Sequence, residues 1–226
     1  MTSSSASKPV IIVGNTQQAQ LAHFYFTQDS TISVAGFTVD QAYLNEECFQ
    51  NLPVVPFEKV SECFPPDQFT MFVAIGYKQM NQLRQQKYHE AKQKGYQLVS
   101  YISSKATVLC PPEDIGDNCF ILENNTIQPF VKVGNNVTIW SGNHIGHHSH
   151  IGDHCFITSH CVIAGNVTIH DYCFIGINAT INNEITIHER AFIGPNAWIN
   201  KNVEARQVVL GNPSRISTVS SDKLVK

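Results

Sequence analysis

Residues 145–175 read IGHHSHIGDHCFITSHCVIAGNVTIHDYCFI, and an isoleucine occupies every sixth position of this stretch. The same frame extends in both directions and holds Ile or Val without an insertion. Its positions are Ile115, Ile121, Ile127, Val133, Ile139, Ile145, Ile151, Ile157, Ile163, Ile169, Ile175, Ile181, Ile187, Ile193 and Ile199. A strict period of six fits neither an α-helix nor an ordinary alternating strand. It predicts a coil in which every repeat contributes one short strand and one turn.

The spacing also predicts how the coil closes and what fills its centre. Three repeats make one triangular turn, so that residues eighteen apart lie above one another at the strand spacing of about 4.8 Å. The frame from 115 to 199 therefore predicts five turns. The position four residues after each aliphatic is mostly small or β-branched, which assigns Cys119, Cys155, Cys161 and Cys173 to the core as small hydrophobes. Segments such as Gly134-Asn135-Asn136 supply the corners.

The first hundred residues have a different pattern, in which short apolar stretches alternate with polar segments of helical length. The predicted strands are 9–14, 31–40, 69–76 and 97–102, and the predicted helices are 17–26 and 79–94. This order predicts a small Rossmann-like α/β domain with a parallel sheet over residues 1–104. The β-helix and a C-terminal cap then occupy residues 105–226.

Ligands of such α/β domains lie at the carboxyl ends of the parallel strands. Those ends carry Gly14, Asn15, Asp40, Gly76 and Tyr77, and we predict that these residues bind substrate. The segment GNTQQA has a single glycine and lacks the dinucleotide fingerprint, so the sequence does not predict an NAD site.

Charge and cysteine content exclude several classes of function. The net charge is -3, the pI is near 6.3, and no dense run of Lys or Arg predicts binding to nucleic acid or to an anionic membrane. No apolar stretch is long enough to span a bilayer and the N-terminus has no signal-peptide pattern, so we expect a soluble, cytoplasmic protein. The seven cysteines are scattered without a C-x-x-C pair, which argues against disulfides and against a zinc site built from cysteine.

The two halves together resemble the bacterial sugar acyltransferases of the hexapeptide-repeat class, typified by UDP-N-acetylbacillosamine N-acetyltransferase and the sialic acid O-acetyltransferases. The motifs that carry the resemblance are VIIVG, VAGFTVD, VAIG, LVSYISSKATV, HHSHIGDHCFI, AGNVTI, CFIGINATI and LGNPSR. The resemblance implies a left-handed β-helix and an α/β domain that binds a nucleotide sugar. It also implies a homotrimer that binds acetyl-CoA between its subunits.

Acetyl transfer from a thioester to an amine needs a base for the amine proton and a donor for the oxyanion. Relatives place a histidine base at the third position of the hexad that directly precedes the I-G-[DE] motif, which corresponds to His147 in this sequence, and often follow it with an acid. Here the next residue is His148, which cannot raise the basicity of its neighbour as a carboxylate does. We predict that His147 is the general base and that His148 or His154 supports it. Either a carboxylate from elsewhere substitutes, or the mechanism relies more on the amine of the substrate.

The resemblance also implies contacts with acetyl-CoA along the β-helix. The corresponding positions are Phe156, Gly165, Gly176, Ile177, Pro195 and Arg215. Phe156 stands where relatives have a histidine, and Pro195 replaces a glycine and therefore lacks an N–H donor. Arg215 or Lys201 is the candidate partner of the 3′-phosphate of CoA.

The hypothesis that follows is an acetyl-CoA-dependent N-acetyltransferase acting on a nucleotide-linked amino sugar in surface polysaccharide or glycan synthesis. Sugar O-acetylation is the main alternative, because the chemistry differs only in the acceptor. A β-helix scaffold with a degenerate site is a second alternative. A zinc protein of the γ-carbonic-anhydrase type is a third, although no two histidines have the five-residue separation that such a site needs. We therefore predict no metal.

Overall fold

The structure is a computed structural model and describes residues 7–214, 217–219 and 221. It consists of an α/β unit followed by a parallel β-helix. No helix of these described ranges is both long enough and apolar enough to cross a membrane.

The α/β unit is a five-stranded sheet between helices. Its elements are β1 (Val10–Val13), α1 (Gln17–Gln28), β2 (Val34–Val39), β3 (Cys48–Phe49), β4 (Leu52–Pro56), α2 (Val60–Cys63), β5 (Thr70–Val73) and α3 (Gln82–Gln93). The strand order is β3-β4-β2-β1-β5, and every pair is parallel except β3 with β4. The central strand β1 is buried on both faces, as its unbroken VIIV sequence predicts. Helix α1 packs on one face through Ala19 and Phe26, and α3 packs on the other through Tyr88 and Ala91.

Two parts of the predicted α/β domain differ from the structure. The β3–β4 hairpin is not predicted, because prolines at 53 and 56 argue against a strand. Pro56 is tolerated because it is the last residue of β4. Helix α3 begins three residues later than predicted, since Gln79, Met80 and Asn81 have left-handed φ angles of 54°, 50° and 66°.

The predicted strand at 97–102 is wrong as a strand of the α/β sheet. Leu98 makes a single parallel bridge to Met71, and the chain then leaves the sheet. Strand β6 (Tyr101–Ile102) pairs instead with β8 (Phe120–Ile121) of the β-helix. The Tyr101 ring still packs in the aromatic core of the α/β unit, so this segment contributes its side chain to one unit and its backbone to the other.

The β-helix has three parallel sheets, here called face 1, face 2 and face 3, in the order in which the chain visits them. Face 1 contains β6, β8, β11 (Thr138–Ile139), β14 (Phe156–Ile157), β17 (Phe174–Ile175), β20 (Phe192–Ile193) and β22 (Val208–Val209). Face 2 contains β7 (Thr107–Val108), β9 (Thr126–Ile127), β12 (His144–Ile145), β15 (Val162–Ile163), β18 (Thr180–Ile181) and β21 (Trp198–Ile199). Face 3 contains β10 (Lys132–Val133), β13 (His150–Ile151), β16 (Thr168–Ile169) and β19 (Thr186–Ile187).

Three corners join these faces. Corner 1 leads from face 1 to face 2 and includes 140–143, 158–161, 176–179 and 194–197. Corner 2 leads from face 2 to face 3 and includes 128–131, 146–149, 164–167 and 182–185. Corner 3 leads from face 3 to face 1 and includes 116–119, 134–137, 152–155, 170–173 and 188–191.

The repeat positions fill the β-helix as predicted. The second residue of each strand from β8 to β21 points inward, and the four cysteines assigned to the core are buried. The third residue of most corners has a left-handed φ angle, for example 57° at Asn136 and 58° at Asn166 and Asn178. Asparagine adopts this conformation more readily than most residues, which explains its frequency there.

The stack extends beyond the predicted frame at both ends with a changed register. Within each face of the predicted frame, residues that pair between successive turns are eighteen apart, as in Ile139 with Ile157. The first turn contains one extra residue, since Ile102 pairs with Ile121. The last turn is two residues shorter, since Ile193 pairs with Val209.

The α/β unit lies against face 1, corner 1 and corner 3. The Val73 N–H donates to Asn118 Oδ1 at 2.7 Å, and Lys92 forms an ion pair with Asp117 at 2.6 Å. Face 2 is left uncovered within the chain, and its outward side chains Val162 and Trp198 are 45% and 66% exposed.

Candidate functional site

His147 lies on corner 2 with its imidazole exposed. Its Nδ1 is 3.1 Å from Nδ1 of His148, which is also exposed. The backbone N–H of His147 donates to Gln128 Oε1 at 2.9 Å, and the His148 ring packs on the Phe130 ring at a centroid distance of 4.6 Å. Because one nitrogen of the Nδ1 pair must carry the proton, the pair fixes the tautomers of the two rings relative to each other.

Gly165 lies directly above His147 in the next turn and forms the surface against which the ring rests. A Cβ atom on Gly165 would be 2.6 Å from Cε1 and 2.8 Å from Nε2 of His147. Only glycine therefore leaves room for the imidazole in this orientation. The Gly165 N–H donates to Asn183 Oδ1 at 2.9 Å, so this backbone donor is already engaged.

The expected acidic partner is not supplied by this chain's own contacts. Within the described ranges, the hydrogen bonds and ion pairs of Asp and Glu side chains involve neither His147 nor His148. The pair is therefore two imidazoles without a carboxylate. The same ranges contain no group of three or more His, Cys, Asp or Glu side chains arranged to hold a metal ion.

His154 lies elsewhere, on corner 3 beneath the α/β unit, and is only 4% exposed. Burial lowers its pKa to about 4, and its Nδ1 is 2.9 Å from Asn136 Nδ2. Its ring packs between those of Tyr88 and Tyr172. His154 thus belongs to the contact between the two units, and the expectation that it supports His147 is wrong.

The residues predicted to contact acetyl-CoA are distributed over two corners and one face. Gly165 shares corner 2 with His147, whereas Gly176, Ile177 and Pro195 lie on corner 1, across face 2. Ile177 is exposed, and Gly176 is needed for coil stacking because a Cβ there would lie 2.6 Å from the backbone of the next turn. Arg215 lies outside the described residues. These contacts stay predictions.

Phe156 is on face 1 and is buried. The Tyr77 ring covers it at 5.0 Å between centroids, and the Arg84 guanidinium lies 5.5 Å from its centroid. Tyr77 also contacts Phe174, at 4.8 Å. The residue that stands where relatives have a histidine is therefore part of an aromatic cluster between the α/β unit and the β-helix.

The predicted substrate residues of the α/β unit do lie at one edge of the sheet. Gly14 follows β1 with a φ angle of 120°, which favours glycine, and its N–H donates to the Thr38 carbonyl at 2.8 Å. Asp40 follows β2 and forms an ion pair with Lys87 at 2.5 Å. Burial opposes the charge of Lys87, but its bonds to Asp40 and Glu90 outweigh burial and raise its pKa.

The sequence did not reveal a neighbouring cleft of about 570 Å³, which extends from Asp40 along α3. Phe57, Glu58, Lys87 and Lys94 are among its lining residues. Both lysine ammonium groups lie over the Phe57 ring, at 4.5 and 5.1 Å from its centroid. Phe57 and Glu58 were missed because they follow β4, the strand that the prolines concealed, whereas Lys87 and Lys94 belong to α3 and its C-terminal end.

Comparison with known proteins identifies the fold. The family model described as bacterial transferase hexapeptide (six repeats) matches residues 114–147, 130–165 and 166–201. Sequence comparison with the curated proteins finds no match. A mutant of perosamine N-acetyltransferase from Caulobacter crescentus, solved with CoA and GDP-perosamine, aligns with a TM-score of 0.80 and 21% identity. That alignment covers 93% of this chain and 97% of the other.

Two further structures align almost as well. The acetyltransferase domain of PglB from Neisseria gonorrhoeae gives a TM-score of 0.78 at 20% identity and covers 92% of this chain and 99% of its own. WeeI from Acinetobacter baumannii gives a TM-score of 0.77 at 20% identity, and this alignment covers 93% of this chain and 100% of the WeeI chain. The predicted fold is thus confirmed: an α/β domain is followed by a left-handed β-helix of hexapeptide repeats, over nearly the whole chain.

Proposed function

We propose that this protein is an acetyl-CoA-dependent N-acetyltransferase that acts on the amino group of a nucleotide-linked amino sugar in surface polysaccharide or glycan synthesis. The observation that carries the proposal is the exposed imidazole of His147, seated on Gly165 and paired with His148. The fold is shared with perosamine N-acetyltransferase, which has been solved with CoA and GDP-perosamine, and this supports the same reaction class.

The chemistry follows from what the imidazole pair provides. When His147 Nδ1–H donates to His148 Nδ1, the Nε2 atom of His147 is unprotonated and free to accept a proton. The amine nitrogen attacks the thioester carbonyl, a C–N bond forms, and His147 takes the amine proton. Collapse of the tetrahedral adduct breaks the C–S bond, and the proton passes to the departing thiolate. CoA leaves as the thiol.

His148 then has two roles in this proposal. As the acceptor of the Nδ1 proton it holds His147 in the productive tautomer, and it stabilises the imidazolium that forms during transfer. Its contact with Phe130 restrains its ring. A neutral imidazole stabilises the cation less than a carboxylate does.

The donor site requires more than one copy of the chain. Gly165 on corner 2 and Ile177 and Pro195 on corner 1 bound the two sides of face 2. When identical chains associate around an axis that faces face 2, corner 1 of one copy lies beside corner 2 of the next. Val162 and Trp198 are exposed apolar side chains on face 2, which favours this face for association. We therefore propose a homotrimer with acetyl-CoA bound between subunits.

The acceptor site in this proposal is the carboxyl edge of the α/β sheet. Gly14 and Gly76 allow close approach to the backbone, and a Cβ on Gly76 would have no atom within 4 Å. Asn15, Asp40 and Tyr77 complete the edge.

A panel of UDP-, dTDP- and GDP-linked 3- and 4-amino sugars, assayed for free thiol released from acetyl-CoA, tests the proposal. The matched control is the same nucleotide sugar with hydroxyl in place of the amine. Thiol release only with the amine supports N-acetylation, whereas release only with the hydroxyl supports the O-acetylation alternative. If none of the sugars gives thiol release and acetyl-CoA does not bind, the protein is a degenerate scaffold.

A further inference from the structure

Arg84 of α3 is a buried charge at the contact between the two units, and it is 1% exposed. Its Nη2 donates to three carbonyl oxygens of corner 3, those of Asn136, His154 and Cys155, at 3.2, 2.9 and 3.1 Å. Its Nη1 donates to Asn81 Oδ1 at 3.0 Å. Burial lowers its pKa to about 10, so the guanidinium is still charged at neutral pH.

This arrangement is costly for a group whose only role is to fill space. No carboxylate contacts the guanidinium of Arg84 in the described ranges, and its Nε has no hydrogen-bond partner. An apolar side chain of similar size avoids the desolvation of a charge. What the planar guanidinium adds is direction, because several carbonyl groups and one amide fix its position and therefore that of α3 on corner 3.

The residues immediately before α3 are strained. Gln79, Met80 and Asn81 form three successive non-glycine residues with left-handed φ angles. Such conformations persist only where the surroundings hold them. Asn81 is fully buried and provides the anchor, since its Nδ2 donates to the Tyr172 carbonyl at 3.2 Å while its Oδ1 accepts from Arg84.

The strained turn determines where Tyr77 lies. The Asn81 N–H donates to the Tyr77 carbonyl at 3.2 Å, and the Tyr77 ring contacts Phe156 and Phe174 on face 1. Tyr77 is nevertheless 51% exposed and directly follows Gly76 at the edge of the sheet. It is therefore the residue that connects the acceptor edge with the β-helix.

We propose that Arg84 and Asn81 are positioning residues, which hold the Tyr77 loop on face 1 so that an acceptor bound at the sheet edge is aligned with the β-helix. The inference rests on the proposed function for its consequence in catalysis. The placement of the loop itself does not depend on that function.

The kinetic test compares R84M and R84K with K92M in the full-length protein. K92M is the matched control, because Lys92 joins the same helix to corner 3 through an exposed ion pair with Asp117. We expect R84M and R84K to raise KM for the amino-sugar nucleotide about tenfold or more, with KM for acetyl-CoA within about twofold of wild type. K92M should leave both constants unchanged.

Hydrogen exchange of the amides at 77–82 provides a readout independent of activity. R84M should raise exchange in this segment about tenfold or more, and K92M should not. N81D keeps an oxygen that accepts from Arg84 but loses the Nδ2 donor to the Tyr172 carbonyl, so it should also raise exchange at 77–82. Should R84M fail to fold, R84K and N81A carry the same comparison.

A lower melting temperature in the Arg84 variants, with unchanged exchange at 77–82 and unchanged acceptor KM, would overturn the proposal and leave Arg84 a purely structural residue. If the wild type transfers no acetyl group to any amino sugar, the proposed function fails. The exchange experiment then still decides whether Arg84 and Asn81 hold the loop.

Discussion

The close packing of the His147 ring on Gly165 predicts that a substitution at Gly165 lowers kcat with little change in stability. Replacing Gly165 by Ala places a Cβ atom 2.6 Å from Cε1, 2.8 Å from Nε2 and 3.1 Å from Nδ1 of His147. Ordinary contact between such atoms is about 3.5 to 4.0 Å, so the ring must move outward by about 1 Å. The ring yields rather than the backbone, because it is exposed and held only by His148.

A displacement of about 1 Å between a base and its proton costs about a hundredfold in rate. We therefore expect G165A to lower kcat about a hundredfold. The backbone of Gly165 does not have a left-handed φ angle, so alanine is tolerated there and the free energy of unfolding should change by less than about 1 kcal/mol.

The control is G142A on corner 1, where a Cβ atom would lie 2.8 Å from Cε1 and Nδ1 of the His160 ring. Gly142 has a φ angle of 79°, so this variant should lose about 1 kcal/mol of stability. It should retain kcat within about twofold. Thiol release gives kcat for both variants, and urea unfolding gives their stability. A G165A enzyme with wild-type kcat would refute the role assigned to His147 in this orientation.

H148E should raise kcat about threefold in the thiol-release assay, because a carboxylate stabilises the imidazolium that forms on His147 during transfer better than a neutral imidazole does. The pKa of His154 is about 4 in the folded protein and about 6.5 in the unfolded chain, so between these pH values the unfolded chain binds a proton that the folded protein does not. The free energy of unfolding should therefore fall by up to about 3 kcal/mol as the pH drops from 6.5 to 4. Urea unfolding at several pH values measures this loss, and H154N should abolish it; a wild-type curve that is flat with pH would contradict the buried neutral imidazole. W198E replaces an exposed apolar side chain of face 2 by a charge and should convert a trimer into monomers in light scattering. The control K132E, on face 3, should leave the trimer intact. A monomeric wild-type protein would exclude the proposed donor site.

The β-helix could be predicted from the sequence because one local rule, an aliphatic residue at every sixth position, determines each strand and each corner. The positions of Ile145 and Ile163 alone place Gly165 above His147 in the next turn. The frame ends where the rule ends: the extra residue before Ile121 and the two missing residues before Val209 change the register without a periodic signal.

The α/β unit was harder to predict because its strands depend on contacts between distant segments. Prolines at 53 and 56 concealed β4, although three residues of β4 pair with the second half of β2. The segment at 97–102 has the pattern of a buried strand, but its backbone bonds to β5 at Gln97 and Val99 and then to the β-helix from Tyr101. Neither the pairing of β4 with β2 nor that of β6 with β8 is encoded in the local sequence.

The candidate site shows the same division. His147 and Gly165 could be located from the repeat and the resemblance, and the structure places them in contact. The burial of His154 under α3 and the role of Arg84 could not be predicted from the sequence, because both depend on how the α/β unit packs on corner 3. The periodicity gives no information about that contact.

The most direct test of the central claim compares wild type with H147A, using acetyl-CoA and the amino-sugar nucleotide that gives the fastest thiol release. His147 acts on the proton of the amine and does not hold CoA in this account. We therefore predict a kcat about a hundredfold lower in H147A, with the Kd for acetyl-CoA within about twofold of wild type. Full-rate thiol release by H147A would contradict the assignment of His147 as the base.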